Sequence, residues 1–335
     1  MTTETTLRGD KLTTEVREAA ESLVAALEQA EKWSDSWANE PLADALVERA
    51  LADCVARLAR TGCWGRDNQL PSGELWRIAG ERLAVGRLQE RARNKPLGYA
   101  GDYQMLEWIV RWTCCDDPLG RFFDRYFQRQ AAPEAVRART RLAAGAIAAD
   151  VLQRGDGSYH IVSVGVGPGL DLAGAAAIVP PARRLDLRFT LLDLDEAGLA
   201  FAAEQLRPHV ADSQVTTVRD NLFRLSRNPR TAEQLRGGDF ILCTGLFDYL
   251  DDTAATALLK TFWQALGPSG RMLVGNFAPH CPTRAYMEWI GNWYLTYRTN
   301  DQLAALAATA GIPRGNYEID AEPSGVDVVL TAWQR

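Results

Sequence analysis

Metal-ligating and disulfide-forming residues are sparse in this chain: three histidines (His160, His209, His280) and six cysteines (Cys54, Cys63, Cys114, Cys115, Cys243, Cys281) in 335 residues. No CxxC pair occurs and the histidines lack ligand spacing, so neither a zinc site nor a disulfide framework is expected, and no metal. Long apolar runs are missing as well. Stretches such as Ala173 to Pro181 are broken by proline or charge well short of the roughly 20 residues a membrane helix needs. A cationic surplus is also absent. With 37 Lys+Arg against 43 Asp+Glu and a net charge of −6, the chain has nothing to release counterions from a phosphate backbone, which argues against nucleic acid as a partner. Met1 to Asp10 is polar and threonine-rich, without the apolar core of a secretory signal, and with the reduced thiols this points to the cytoplasm. What is present is an ordinary globular composition, 47% hydrophobic and 24% charged, long enough for one large domain or two smaller ones.

From Leu12 to about Arg154 apolar residues recur at three- and four-residue steps. Val16, Leu23, Val24 and Leu27, then Leu42, Leu46, Leu51, Val55 and Leu58, predict amphipathic helices with one buried stripe each. Breaks are expected at Pro41, at the Pro71-Ser72-Gly73 turn, at Lys95 to Gly101, at Pro118 and at Pro133, since proline and glycine interrupt helices. A helical domain over 1–154, with no strand before Tyr159, follows.

After Gly155-Asp156-Gly157 the pattern changes to short β-branched runs: 160–164, 187–192, 214–218, 240–243, 271–274, 317–319 and 326–330. Helical patterns at 198–206, 253–266 and 301–310 lie between most of them. This alternation predicts an α/β domain over 155–335 with a parallel sheet covered on both faces. The last two runs are joined by Pro323-Ser324-Gly325, too short for a crossover, so they must pair antiparallel. The segment 275–298 is rich in aromatics (Phe277, Tyr286, Trp289, Trp293, Tyr294, Tyr297). Inserted after the fifth strand, it is expected at the carboxyl edge of the sheet, where open α/β folds bind ligands; core packing accounts for at least half of its rings.

The first strand runs into Gly165-Val166-Gly167-Pro168-Gly169-Leu170-Asp171, where glycines permit a tight turn and close approach of a ligand. The second strand ends Leu192-Asp193-Leu194-Asp195. Its tip carboxylate, Asp193, is placed to accept both hydroxyls of a ribose, and Asp195 to cap the following helix. A proline inside the glycine loop and the lack of a third spaced glycine favour a nucleoside without pyrophosphate over NAD.

At these residues, over about 159–334, the sequence resembles the class I S-adenosylmethionine (SAM) dependent methyltransferases. The resemblance implies a Rossmann-like sheet of seven strands with the last antiparallel, SAM as cofactor, and a small-molecule substrate. It sets the backbone of Gly165 and Gly167, with Gly169, against the ligand. It brings Asp220-Asn221 to the adenine and Thr244-Gly245, after Cys243, beside the sulfonium. Lys95-Pro96-Leu97-Gly98-Tyr99-Ala100-Gly101-Asp102-Tyr103 and Gly275-Asn276-Phe277, with Arg284, Met287-Glu288, Trp293 and Tyr297-Arg298, resemble a bacterial group. That group includes fatty-acid methyl ester signal biosynthesis proteins and the enzymes that cyclise SAM to azetidine-2-carboxylate.

Two readings of 98–103 stand side by side: a helix start capped by Asp102, and a lid in which Tyr99 closes over a sulfonium, gaining roughly 0.5–2 kcal/mol of cation–π attraction, with Tyr103 also at the cofactor. Tyr99, Asp102 and Asn276 are the candidate catalytic residues. His280, in a loop among prolines, is an alternative base, and Glu288 and Arg298 are candidates to pair with each other. SAM arrives activated, so the protein has mainly to align a nucleophile and exclude water. Methyl transfer to an oxygen or nitrogen of a small molecule is the leading reading. The alternatives are cyclisation of SAM alone, with release of methylthioadenosine, and a non-catalytic SAM-binding module.

Overall fold

The computed structural model describes residues 3–34, 39–155 and 157–334. Met1 and Thr2 of the polar N-terminus, Asp156 of the turn before the first strand, and Arg335 lie outside the described residues. In chain order the helices are α1 (Thr3–Ser34), α2 (Glu40–Ala59), α3 (Gln69–Leu83), α4 (Arg87–Asn94), α5 (Tyr103–Val110), α6 (Gly120–Gln128), α7 (Ala131–Gln153), α8 (Leu170–Ile178), α9 (Pro181–Arg184), α10 (Glu196–Leu206), α11 (Pro229–Gln234), α12 (Asp252–Ala265), α13 (Arg284–Trp289) and α14 (Asn300–Thr309). The strands are β1 (Tyr159–Val164), β2 (Leu187–Asp193), β3 (Val215–Arg219), β4 (Gly238–Cys243), β5 (Leu266–Phe277), β6 (Tyr317–Ala321) and β7 (Asp327–Trp333). Among the described residues no helix is long and apolar enough to cross a membrane.

Two compact units emerge, one comprising 1–133 and 282–294, the other 134–281 and 295–335. The division falls inside α7, whereas the change of sequence pattern falls at Gly155. The physical reason is the apolar stripe Ala143, Ala144, Ile147, Ala148 and Val151 of α7, which packs into the core of the second unit.

The first unit is helical. Val16, Leu23 and Leu27 of α1 are buried, as their spacing predicts. In α2 the buried stripe is Ala43, Val47, Leu51, Cys54, Val55 and Leu58, while Leu42 is 58% exposed, so the stripe begins one residue later than expected. Pro41, Pro71 and Pro133 are not helix stops: each lies in the first turn of its helix, where the missing N–H has no partner to lose and the fixed φ suits the helix. The aromatic segment 282–294 packs with this unit. Tyr286 stacks on Phe127 with centroids 5.2 Å apart and donates to Gln89, and Trp76 donates to the Ile290 carbonyl at 2.9 Å.

The second unit carries a seven-stranded sheet in the order β3-β2-β1-β4-β5-β7-β6. Strands β1 to β5 pair in parallel, and β7 runs antiparallel to both β5 and β6. This is the α/β, Rossmann-like sheet of seven strands that the resemblance implies, with its last strand antiparallel. Alternation along the central strands feeds two cores. Ile161, Phe240, Leu242 and Leu273 join α7, α8 and α10 on one face, while Val162, Val164, Ile241, Cys243, Met272 and Val274 join α12 and α14 on the other. Order reverses between β1 and β4, the switch point at which such sheets open a crevice at their carboxyl ends.

Exchanging Leu51, fully buried in α2, for alanine is expected to cost about 2–5 kcal/mol, against about 0.5 kcal/mol or less for Leu42→Ala on the same helix. Urea unfolding followed by circular dichroism measures both; equal costs would contradict the assigned stripe.

Candidate functional site

The loop after β1 reverses over two residues. The N–H groups of Gly165 and Val166 both donate to the Leu192 carbonyl of β2, at 2.9 and 3.2 Å. Gly165, Gly167 and Gly169 have φ of 70°, 53° and 65°, the left-handed region that side chains rarely enter. Space around them differs. A Cβ on Gly165 would make ordinary contacts with Leu222 and Leu246, at 3.6 and 3.7 Å, so the loops after β1, β3 and β4 converge here. On Gly169 it would lie 2.8 Å from the Cβ of Ala202 in α10. Gly169, expected at the ligand, is therefore required for packing α8 on α10.

Asp193 ends β2 with only 6% of its surface exposed. Its carboxylate accepts from the Gly167 N–H and the Asp195 N–H, both at 3.1 Å, and so joins the glycine loop to the tip of β2. Burial raises its carboxyl above the ordinary range, and those N–H donors oppose the rise. Asp195 caps α10 through the Ala197 N–H at 3.0 Å, the role its position predicts.

Asp220, expected near adenine, accepts from the Asn221 N–H at 2.7 Å, from Asn228 Nδ2 at 2.8 Å and from the Thr231 hydroxyl. It thereby holds the segment that leads into α11. Asn221 caps the short turn at 222–227 through the Phe223 N–H at 3.1 Å. Leu194 and Phe223, one or two residues past these positions, are 42% and 55% exposed, an apolar pair that sequence reasoning passed over. Thr244 and Gly245 follow β4, where the Thr244 carbonyl lies 3.0 Å from the Cβ position of Gly275.

Beneath this edge is a buried ionic network. Arg139 of α7 places Nη1 2.7 Å from Asp327 and 4.0 Å from Asp248, with its guanidinium 5.6 Å from the centre of the Phe277 ring. Asp248 accepts from the Phe277 N–H at 2.7 Å and from Asn276 Nδ2 at 3.0 Å. Burial, reinforced by the charge of Asp327, pushes the Asp248 carboxyl up to about 8 against the pull of Arg139; burial raises Asp327 too.

Asn276, a candidate catalytic residue by sequence, is wholly enclosed. Its amide donates to Asp248, to the Phe277 carbonyl and to the Thr296 carbonyl, and its oxygen accepts from Arg298 Nη1 at 2.7 Å. Engaged through both its amide nitrogen and its oxygen, Asn276 ties Asp248, the segment at 296–298 and the end of β5 together.

Asp171, in the first turn of α8, is half-buried, with Oδ1 on the Leu172 N–H at 2.8 Å. Burial pushes its carboxyl up to about 6, and Arg139 pulls the other way. Its signal in the sequence is an acid two residues past the third glycine, at a helix N-terminus, where dinucleotide folds receive phosphate.

The remaining candidates, Tyr99, Asp102 and Tyr103, belong to the first unit. Tyr99 sits between Gly98 and Gly101, both left-handed with φ of 90° and 73°. Asp102 is 1% exposed. It caps α5 through the Met105 N–H at 2.9 Å and takes Arg91 Nε on both oxygens at 2.8 and 3.0 Å. A carboxylate so engaged anchors the helix start, as the capping reading of 98–103 expects. His280 is exposed and meets the Gly325 carbonyl at 2.9 Å, at the hairpin turn. Glu288 pairs with Arg284 at 2.7 Å rather than with Arg298, which pairs with Asp252 at 2.9 Å.

No family model and no curated protein matches the chain. Among solved structures it is similar to a "possible exported protein" from Bordetella parapertussis, at 17% identity and a TM-score of 0.56, over 94% of this chain and 96% of that one. A magnesium protoporphyrin IX methyltransferase from Synechocystis PCC 6803 is 13% identical with a TM-score of 0.45, over 64% of this chain and 94% of that one. An N-methyltransferase from Bradyrhizobium japonicum WM9 is 13% identical with a TM-score of 0.41, over 69% and 97%. The first likeness bears on the fold alone.

Because the Asp248 carboxyl titrates at about 8 when folded and near 3.9 in an unfolded chain, the folded state binds the extra proton between those values. Its contribution to stability is full at acid pH and is lost as pH rises through that window. Asp248→Asn keeps an acceptor for Phe277 and Asn276 and removes the titration. Its stability relative to wild type should therefore improve steadily from about pH 5 to 8. Parallel stability curves for the two proteins would show that this carboxyl does not titrate there.

Proposed function

We propose that the chain binds SAM at the carboxyl edge of the second unit's sheet and transfers its methyl group to an oxygen or nitrogen of a small-molecule acceptor. One observation carries this reading: Asp193 and Asp171 flank the glycine turn as two under-committed carboxylates. Asp193 has acceptor capacity beyond its two N–H donors, as a ribose diol requires. Asp171 occupies the helix N-terminus that would otherwise receive a pyrophosphate. An acid there repels phosphate and attracts a cation, which favours a positively charged nucleoside over a dinucleotide. The exposed Leu194 and Phe223 offer apolar surface for a base.

SAM supplies a methyl group on a sulfonium leaving group, so no covalent relay through the protein is needed. Cys243, the nucleophile nearest the turn after β4, is 1% exposed, and burial pushes its thiol up, keeping it protonated and inert. The chain's own residues hold the ligand: Gly165 and Gly167 by open backbone, Asp193 by accepting hydroxyls, Thr244 and Gly245 by closing the side after β4.

Calorimetry with SAM tests the site. Loss of the Asp193 carboxylate in Asp193→Ala costs roughly 1.5–3 kcal/mol for charged hydrogen bonds, a weakening of roughly 10- to 150-fold. Gly167→Val should weaken binding as well, with circular dichroism confirming that both variants fold. Affinity at the wild-type level in both would remove the site. Mass spectrometry then decides the reaction. S-adenosylhomocysteine formed only when an acceptor is present is the expected product, and methylthioadenosine formed from SAM alone would overturn methyl transfer.

Asp171 adds a pH dependence. Its carboxylate attracts the cation only when ionised, so SAM affinity should fall as pH drops through about 6, and Asp171→Asn should flatten that fall. A variant that keeps the wild-type profile would exclude Asp171 from the site.

A further inference from the structure

Within the first unit the cations are mostly matched. Arg91 meets Asp102, Arg125 meets Glu40 and Arg284 meets Glu288, each within 2.9 Å. Arg93 and Lys95, at the end of α4, are different: both are half-buried, and among the described residues neither forms an ion pair with a carboxylate.

Their setting is nevertheless built. The Arg93 guanidinium lies 4.5 Å from the centre of the Trp76 ring. Its Nη1 donates to Ser72 Oγ at 3.0 Å and its Nη2 to the Ser72 carbonyl at 3.3 Å. Ser72 Oγ is itself fixed by donating to the Trp289 carbonyl at 2.9 Å. Lys95 has a left-handed backbone, φ 48° and ψ 59°, which turns the chain at the end of α4 and sets Nζ 5.9 Å from the centre of the Tyr294 ring. The Tyr294 hydroxyl is enclosed, with the Ser72 side chain beside it. The acid charge that acts on Tyr294, Glu288, is already committed to Arg284 and to the Gly65 N–H at 2.7 Å.

Two cations, a phenol hydroxyl and a fixed serine thus lie side by side, and among the described residues no carboxylate pairs with either cation. From this juxtaposition we infer that Arg93, Lys95 and Tyr294 form an oxyanion-binding site, which takes the carboxylate or phosphate group of a small-molecule ligand. Ser72 takes two of the five N–H donors of Arg93 and leaves the others for an oxyanion, the ammonium of Lys95 supplies a point charge, and the phenol of Tyr294 lies beside them as a further O–H. Burial pushes the Arg93 guanidinium down to about 10, and burial together with Arg93 lowers the Lys95 ammonium, the direction expected of cations waiting for a counter-charge. The site stands independently of the SAM reading, since none of its residues belongs to the second unit.

The test is calorimetric titration of the full chain with inorganic phosphate, acetate and octanoate, ionic strength held constant with sodium chloride, and octanamide as the uncharged control. Saturable binding of at least one anion is expected, weakened tenfold or more in Lys95→Met and in Arg93→Gln, and less in Arg93→Lys. Phosphate alone saturating identifies a phosphate-bearing ligand; either carboxylate saturating identifies a carboxylic acid. No saturation by any anion, or affinity untouched by Lys95→Met, overturns the site. Thermal unfolding guards against a purely structural role. Lys95→Met removes an uncompensated charge, so its midpoint should match or exceed that of wild type without anion, and a drop of several degrees would also overturn the site.

Discussion

The carboxyl edge of the second unit's sheet depends on the buried guanidinium of Arg139. It brings one positive charge against Asp327 at 2.7 Å and Asp248 at 4.0 Å, and it tempers the burial of Asp171. Without it two enclosed carboxylates would face each other uncompensated, a situation that costs about 3–5 kcal/mol when one partner of a buried pair is removed. Asp248 in turn receives Phe277 and Asn276, and Asn276 receives Arg298. The ends of β4 and β5, the start of β7 and the segment at 296–298 are therefore fixed through one cation on α7. That is why α7 belongs with the sheet although its sequence reads like the helices before it.

Local physics was legible and distant pairing was not. Short β-branched runs located all seven strands, with β5 reaching well beyond its predicted run at 271–274 in both directions, and a three-residue Pro-Ser-Gly link was enough to predict the β6–β7 hairpin, because no crossover fits it. The capping rules worked at Asp195 and at Asp102. Prolines were misjudged for a local reason: Pro41, Pro71 and Pro133 punctuate helices, but proline at a first turn starts one as readily as proline elsewhere ends one. The Arg139–Asp327 pair spans 188 residues, and nothing in the neighbourhood of either residue announces the other. The same holds for the 282–294 segment. Its aromatics were visible, but which core they enter depends on Phe127 and Gln89, far back in the chain.

The glycine loop shows how one motif divides its labour. All three glycines share the left-handed backbone, so φ alone does not distinguish them. Gly165 has room beside it, Gly167 gives its N–H to Asp193, and Gly169 is pressed against Ala202. A sequence pattern records only that a side chain is unwelcome, not whether ligand, turn or neighbouring helix is the reason. Asp171 went unnoticed for the complementary reason: an acid in a first helical turn is ordinary by the helix dipole. It becomes informative only once burial and the geometry of the turn are known.

Charge accounting separates the two units. In the second, Arg139 and Arg298 are sunk into the edge and spent on protein acceptors, while Asp171 and Asp193 keep acceptor capacity in reserve. In the first, Asp102 and Glu288 are spent on arginines, while Arg93 and Lys95 pair with no carboxylate among the described residues. Buried charge is tolerated only when it is paired or when pairing is deferred to a ligand. The two proposals share one physical basis, the sign of charge each unit leaves open. Open carboxylates favour hydroxyls and a cation, which is the ground for proposing a sulfonium nucleoside in the second unit, and open cations favour an oxyanion, which is the ground for proposing an acidic small molecule in the first.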